Sequence, residues 1–310
     1  MIAERSSVAG FSEPKLHSTG SVEDRIYLSW IQYLTTTLGR SPKFAQARAE
    51  VERTRTRAKQ LVAWLASCGW QLEGAEILEV GSGHGTLAVE LALVGAKVTA
   101  VEPCAAWRAL SEERVAALSL PIRHYGSDAH ALPFPDCSFD ACISLQVLEH
   151  VRDPTEVISE IARVLRPGGA VYVSCENYLA FREQHYGVPW LPGLSKRMGV
   201  AYLVLLGRDP SFLREHITYV YCPKLVMAFL SAGLIDESWL GLLTSLGQER
   251  SRVRRLTQAV YKVCRALFGS LWAQTLVICA VHWKSLFRVG FQFMGMKCSR
   301  HRADHCLAGD

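Results

Sequence analysis

The chain has 310 residues, 49% of them hydrophobic and 20% charged, which excludes an intrinsically disordered protein and allows one large core with additions. The formal net charge is only +5, and Lys and Arg gather in Arg48 to Lys59 and beyond Arg250 without interleaved aromatics, so no nucleic-acid partner is expected. Ten scattered cysteines, with Cys142, Cys175 and Cys279 inside apolar runs, exclude a disulfide framework; with an N-terminus that lacks a signal design, they point to a reduced, cytoplasmic protein.

Residues 1 to about 40 read as irregular, with a short apolar helix at YLSWIQYLTTTL. A long helix is expected from Ser41 to Ser67, opened by a Ser cap and by Pro42 at its first position. Within it Glu50 and Glu52 alternate with Arg53, Arg55 and Arg57, the pattern of a solvated face. After Gly74, short apolar runs alternate with helical segments, which predicts strand-helix-strand units on a parallel sheet. Strands are expected at Glu76 to Val80, Lys97 to Val101, Ile122 to Tyr125, Phe139 to Ser144 and Ala170 to Cys175. Helices fall near His84 to Val94, Ala105 to Leu118 and Thr155 to Leu165, the last stopped by RPGG.

From Asn177 to about Tyr221 the periodicity breaks down in a segment rich in aromatics, His, Gly and Pro, which reads as a functional lid. CPKLVMAFLSAGL then reads as a helix ended by Gly233, followed by strands near Ile235 to Leu240 and Thr275 to Val281. The apolar stretch Ala266 to Trp283 approaches the length of a membrane span, but polar residues and its β-branched second half favour a helix end followed by a core strand. The tail after Trp283 reads as basic and irregular. Its CSRHRADHC offers Cys298, His301, His305 and Cys306 at spacings compatible with zinc, yet no flanking elements close a site, so no metal is expected.

The chemistry concentrates in Glu79-Val80-Gly81-Ser82-Gly83-His84-Gly85-Thr86. A dinucleotide fingerprint counted from Gly81 wants its third glycine at 86, where Thr86 stands. Glycines at 81 and 83 let backbone approach a ligand, and the helix that follows offers free amides to a carboxylate. Glu79 could meet an ammonium group, and Glu102, at the tip of the second strand, two ribose hydroxyls. An adenosine ligand with a sulfonium and an amino-acid end suits this arrangement.

Three segments in order carry a resemblance: LEVGSGHGTLAVELALVGAKVTAVEP, GSDAHALPFPDCSFDACISLQVLEHV and EVISEIARVLRPGGAVYVSCEN. The chain resembles class I S-adenosylmethionine-dependent methyltransferases of the type 11 kind, similar to the ubiquinone and menaquinone methyltransferases. The resemblance implies a doubly wound α/β fold: a mostly parallel, seven-stranded Rossmann-like sheet with helices on both faces. It divides the chain into an N-terminal helical extension over 1–73, a methyltransferase domain over 74–284 with a lid at about 177–221, and a basic tail over 285–310.

The cofactor it implies is S-adenosyl-L-methionine, with Glu79, Gly81 and Gly83 on the methionine side, Glu102 on the ribose, Asp128 and the Ala129 amide on the adenine, and Gln146 near the sulfonium. His185, His216 and His150 are the candidates for a catalytic base, and Tyr178, Tyr186, Trp190 and Tyr219 for an aromatic acceptor pocket. The reaction expected is O-methylation of a small or medium molecule, such as a secondary metabolite, glycan or lipid-linked compound. C-methylation of a quinone-type ring and a non-catalytic cofactor-binding protein are the alternatives. Apolar segments at Met198 to Leu206 and Leu267 to Trp283 suggest weak membrane association.

Overall fold

The computed structural model describes residues 20–36, 43–235 and 290–297. Two helices come first, α1 (Val22–Thr36) and α2 (Phe44–Ser67). The α2 helix starts later than expected, because Lys43 is the N-cap and its N–H is held by Gln46 Oε1 at 3.0 Å. Ser41 and Pro42 lie outside the described residues. The acidic residues read as a solvated face instead anchor α1: Tyr27 donates to Glu52 at 2.8 Å and the Trp30 indole to Glu50 at 3.0 Å.

The sheet units follow in chain order as β1 (Glu76–Val80), α3 (Thr86–Leu93), β2 (Lys97–Val101), α4 (Ala105–Ala117), β3 (Arg123–Tyr125), β4 (Phe139–Leu145), α5 (Pro154–Val164) and β5 (Leu165–Glu176). The α5 helix begins where its sequence says it should: the Asp153 carboxylate accepts from the Thr155 N–H at 2.8 Å, and Pro154 occupies the first turn. RPGG does not merely stop that helix. The chain is already extended from Leu165, and the extra residues are absorbed as a bulge where the register jumps from Phe139 opposite Leu165 to Ala141 opposite Ala170.

Past β5 come the short strands β6 (Arg182–Glu183) and β7 (Val188–Pro189), then α6 (Lys196–Leu205), α7 (Ser211–His216), α8 (Cys222–Ser231), β8 (Leu234–Ile235) and β9 (Gly290–Lys297). The seven-stranded sheet runs β3-β2-β1-β4-β5-β9-β8. The first five strands pair in parallel, and β9 is antiparallel to both β5 and β8. The strand β9 corrects the expectation of an irregular tail: Gly290 to Lys297 belongs to the sheet, with Phe293 buried and stacked on Phe229 of α8 at 3.9 Å. The strand expected at Thr275 to Val281, the rest of that at Ile235 to Leu240, the apolar stretch from Ala266 and the Cys298 to Cys306 motif lie outside the described residues.

Alternation along the strands gives each face of the sheet its own core. Leu78 and Val80 of β1 face a layer that includes Val157, Ile158 and Ile161 of α5 and Leu225, Val226 and Phe229 of α8. Ile77 faces the other layer, with Val62 and Leu65 of α2 and Leu87 and Leu91 of α3. The order reverses at β1, with β2 on one side and β4 on the other, so a crevice is expected at the carboxyl ends of those strands. The 177–221 insertion rises from that end and is more ordered than its sequence suggests. It has a core of its own, in which Tyr178, Val188, Trp190, Leu203, Phe212, Leu213 and Ile217 are buried.

Candidate active site

The glycine turn between β1 and α3 is held from both sides. Gly81 and Ser82 donate to the Val101 carbonyl at 2.8 and 3.0 Å, and Gly83 donates to Glu102 Oε2 at 2.8 Å. The other Glu102 oxygen accepts from the Cys104 N–H at 2.9 Å. Gly81 has φ +76° and lies so close to Val147 that a Cβ there would sit 2.2 Å from Cγ2. A Cβ at Gly83 meets nothing within 4 Å, so that face of the turn is open. Gly85 was not singled out in the sequence, although it caps α3 at φ +70° and a Cβ would fall 2.0 Å from Ser111 Oγ. Thr86 has a use as well: its hydroxyl accepts from Arg114 of α4 at 3.2 Å.

Glu79 is buried at the end of β1 and its Oε2 has no hydrogen-bond partner. Burial pushes its carboxyl up to about 8, against a hydrogen bond from the Ala88 backbone that lowers it; the neighbouring Glu102 charge raises it further. A buried carboxylate short of a donor is a site where an ammonium group would be stabilised. Glu102 is raised too, by burial, while the Cys104 and Gly83 amides and Arg108 work to lower it.

Asp128 lies at the surface beyond β3, and its Oδ1 takes the His130 N–H at 2.9 Å and the His130 ring at 2.6 Å. Because His130 Nε2 accepts from the Asp153 N–H at 3.2 Å, the ring proton sits on Nδ1 and fixes Asp128. Ala129 beside it is buried.

An aromatic roof over the turn had no counterpart in the sequence reading. Trp30 and Tyr33 of α1 stack at 5.2 Å, His84 packs on Trp107 at 5.3 Å and edge-on to Trp30 at 6.4 Å, and Tyr33 meets Trp107 at 5.5 Å. Burial drives the His84 imidazole down to about 4, so it is neutral. The W-x-x-Y spacing of Trp30 and Tyr33 was the available signal. It pointed nowhere until Glu50 and Glu52 docked α1.

Gln146 stands just past β4 at φ +55°, its own N–H donating to the Ser174 carbonyl at 2.7 Å. Both neighbouring carboxylates call for a donor, so its side-chain amide is assigned with the nitrogen toward them, donating to Glu149 Oε1 at 3.0 Å and to Glu176 Oε1 at 3.1 Å. Glu149 is completely buried and Oε2 remains without a partner. Burial raises Glu149 to about 7 and Glu176 to about 8. Neither glutamate was picked out in the sequence, although Glu149 directly precedes His150.

Two of the three candidate histidines join these glutamates. The rings of His150 and His185 lie 5.5 Å apart, and Phe212 packs against both. His150 Nδ1 faces the His216 carbonyl at 3.2 Å; burial and the His185 charge take it down to about 4. His185 Nδ1 bonds Glu183 Oε1 at 2.8 Å. Burial acts to lower His185, but that bond and the charges of Glu183, Glu149 and Glu176 outweigh it, so its pKa rises. His216 contributes its carbonyl to His150, while its ring packs on Phe212 at 5.5 Å and is held low by burial.

Of the four aromatic candidates, Tyr178 and Trp190 are buried inside the insertion and Tyr186 and Tyr219 are half-buried. Tyr178 stacks on Tyr219 at 4.2 Å and donates to Glu183 at 3.2 Å, Trp190 packs edge-on to both tyrosines, and the Tyr186 hydroxyl accepts from the Leu213 N–H at 3.2 Å. Gly199 lets α6 close on them, since a Cβ there would lie 2.5 Å from the Tyr219 hydroxyl and 2.7 Å from Trp190. Glu183 joins this core to the histidines, accepting from Tyr178, His185 and the Tyr186 N–H.

Comparison with known proteins gives a family model described as a methyltransferase domain, matching residues 78–173. A "Probable S-adenosylmethionine-dependent methyltransferase" of Mycolicibacterium smegmatis is 36% identical over 205 residues, 66% of this chain and 69% of that protein. A ubiquinone biosynthesis O-methyltransferase of Aeromonas salmonicida is 34% identical over 118 residues, 37% of this chain and 48% of that protein. In this and several other ubiquinone biosynthesis O-methyltransferases the match spans about half of their length. Among solved structures, phosphoethanolamine N-methyltransferase 2 of Haemonchus contortus is similar with a TM-score of 0.49 and 18% identity, covering 78% of this chain and 52% of that one.

Proposed function

The chain belongs to the S-adenosylmethionine-dependent methyltransferases, and from that premise we propose that it moves a methyl group to a hydroxyl of a small or medium-sized acceptor, of secondary-metabolite, glycan or lipid-linked type. The observation that carries the cofactor half is the buried Glu79 carboxylate with one oxygen unsatisfied, next to an open Gly83. When bound, S-adenosylmethionine supplies an electrophilic methyl group on sulfur. Glu79 would hold the ammonium of its amino-acid end, and the backbone of Gly81 and Gly83 would let that end approach. Glu102 would take the ribose hydroxyls while its present bonds fix the turn. Asp128, oriented by His130, and the Ala129 amide would receive the adenine. Gln146 would stand near the sulfonium and hold Glu149 and Glu176 in place.

The acceptor half rests on the cluster where β4 and β5 end. Of the three histidines, His185 is the one through which the chain acts on the acceptor. Glu183 holds a proton on Nδ1, so Nε2 of the neutral ring is the atom that can take the hydroxyl proton. His150 and Glu149 support it from β4's side. The rest of catalysis is placement, with α1 and the insertion closing over the reacting groups. With hydroxylated acceptors and labelled cofactor, mass analysis should place the new methyl on oxygen, and His185→Ala should lower kcat by about 10²–10⁴-fold while leaving S-adenosylhomocysteine affinity unchanged. Methyl found on carbon or nitrogen, or an unaltered kcat, would contradict this reading.

The outer face of the insertion favours a lipid-soluble acceptor met at a membrane surface. Phe181, Leu191, Met198, Val204, Leu205 and Leu206 of the insertion are exposed, Leu205 by 83%, and so are Arg197 and Arg208. Among the described residues no helix is long and apolar enough to cross a membrane. Flotation with anionic vesicles should carry the protein upward, and Leu205→Asp should reduce the bound fraction severalfold. A wild type that stays at the bottom of the gradient would rule the association out.

A further inference from the structure

One donor atom each from Glu149, His150 and His185 lies within 4.8 Å of the other two. The two rings are oriented the same way: each Nδ1 faces an acceptor, the His216 carbonyl for His150 and the Glu183 carboxylate for His185. In its neutral form each ring therefore carries its proton on Nδ1 and its lone pair on Nε2. Metal-ligating histidines show this arrangement, because the outer acceptor fixes the tautomer and raises the basicity of the ligating nitrogen. Glu149 completes the set. Its Oε1 receives the Gln146 amide and the Glu176 N–H, while Oε2, on a side chain with no exposed surface, has no partner. Two imidazoles and a buried carboxylate thus converge, and Phe212 packs against both rings.

The geometry points to a divalent-cation site formed by Glu149, His150 and His185. Two imidazoles and one carboxylate suit a first-row transition metal such as Zn²⁺ or Mn²⁺ better than Mg²⁺, which prefers oxygen ligands. Three protein ligands leave a position open for an outside oxygen. Neighbouring ligands around a zinc ion are roughly 3–4 Å apart, from metal–ligand distances of about 2.0–2.2 Å, so the donors need only a small side-chain movement to close.

The consequence for chemistry rests on the methyl-transfer reading. A cation there would occupy the His185 lone pair, making His185 a ligand in place of the base; it would hold the acceptor's hydroxyl oxygen and lower its pKa, so that the proton leaves to solvent. The oxygen–methyl bond then forms as the methyl–sulfur bond breaks, and the neutral thioether departs. The acceptor class narrows to a compound whose hydroxyl can ligate a metal, such as a phenol or a vicinal diol. This departs from the sequence-based expectation of a metal-free site.

The test is equilibrium dialysis of the chelator-stripped full chain against Zn²⁺, with Co²⁺ visible absorption as a direct probe of ligation in the wild type. The Glu149→Gln and His185→Ala variants should each lose one equivalent of zinc, or weaken it by about 100-fold or more, relative to wild type. An equivalent held by Cys298, His301, His305 and Cys306 would persist in both variants and so is told apart. S-adenosylhomocysteine titrated into the same samples reports separately on the fold and on the cofactor site. Binding of that ligand with no zinc equivalent lost in either variant overturns the cation site and leaves the methyltransferase reading standing. Zinc lost in the variants without nucleoside binding in any sample would do the opposite.

Discussion

Glu102→Ala should weaken S-adenosylhomocysteine binding by about 10²–10³-fold, or roughly 3–4 kcal/mol. The carboxylate is nearly buried, and both its oxygens already accept backbone N–H groups, from Gly83 at 2.8 Å and Cys104 at 2.9 Å. Truncation removes the acceptor proposed for the ribose and also the tether that shapes the glycine turn. Hydrogen bonds to a charged group contribute about 1.5–3 kcal/mol each, so losing two or more predicts an effect of that size. Glu102→Gln keeps one acceptor oxygen and should recover part of the affinity. Calorimetry on variants whose circular dichroism matches wild type checks this. An unchanged dissociation constant in Glu102→Ala would remove Glu102 from the cofactor site.

The second large effect is a pH dependence set by Glu79. In the free protein its carboxyl titrates near pH 8, and a bound ammonium would pull it back toward the ordinary value. Between those two values, binding must expel a proton. Affinity should therefore rise about tenfold per pH unit up to about pH 8 and then level off, as long as the ligand's own ammonium stays protonated. Glu79→Gln should flatten the profile and lower affinity at pH 8 by tenfold or more. Stability has the opposite sign: the folded-state pKa lies above the usual 4.5 of a free glutamate, so the folded chain binds more protons over that window. The free protein loses stability as pH rises from about 4.5 to 8, and Glu79→Gln should resist denaturant better than wild type above pH 8. A wild-type affinity flat between pH 6 and 8 would contradict the ammonium assignment.

Much of the sheet was legible because it is local. β1 and β2 fall on the residues expected from apolar runs bounded by glycine turns, and the helices between them deviate by a residue or two at their ends. Long-range partners decided what was not legible. Gly290 to Lys297 shows no clean alternation and sits in a basic tail, and it becomes a strand only because β5 and β8 offer it edges. The insertion lacks periodicity since its core is aromatic and assembled from short pieces, with Glu183 rather than a hydrophobic stripe at its junction with the site.

At the site, Glu79, Gly81, Gly83 and Glu102 could be found from one motif and its spacing. Trp30, Tyr33 and Trp107 could not, because α1 reaches the turn through hydrogen bonds to Glu50 and Glu52 that look like surface charge in sequence. Glu149 and Glu176 were hidden for the same kind of reason. Nothing in LQVLEHV or SCEN says that the two carboxylates will share the amide of Gln146.

The most direct test of the cofactor pocket is calorimetric titration of the wild-type chain with S-adenosylhomocysteine at pH 8. One equivalent should bind per chain, with NADH failing to compete, because Thr86 occupies the place of a dinucleotide glycine and its hydroxyl is tied to Arg114. Absence of heat and of any saturable binding at millimolar ligand, from a chain with native circular dichroism, would contradict the assignment of Glu79, Gly81, Gly83 and Glu102 to that cofactor.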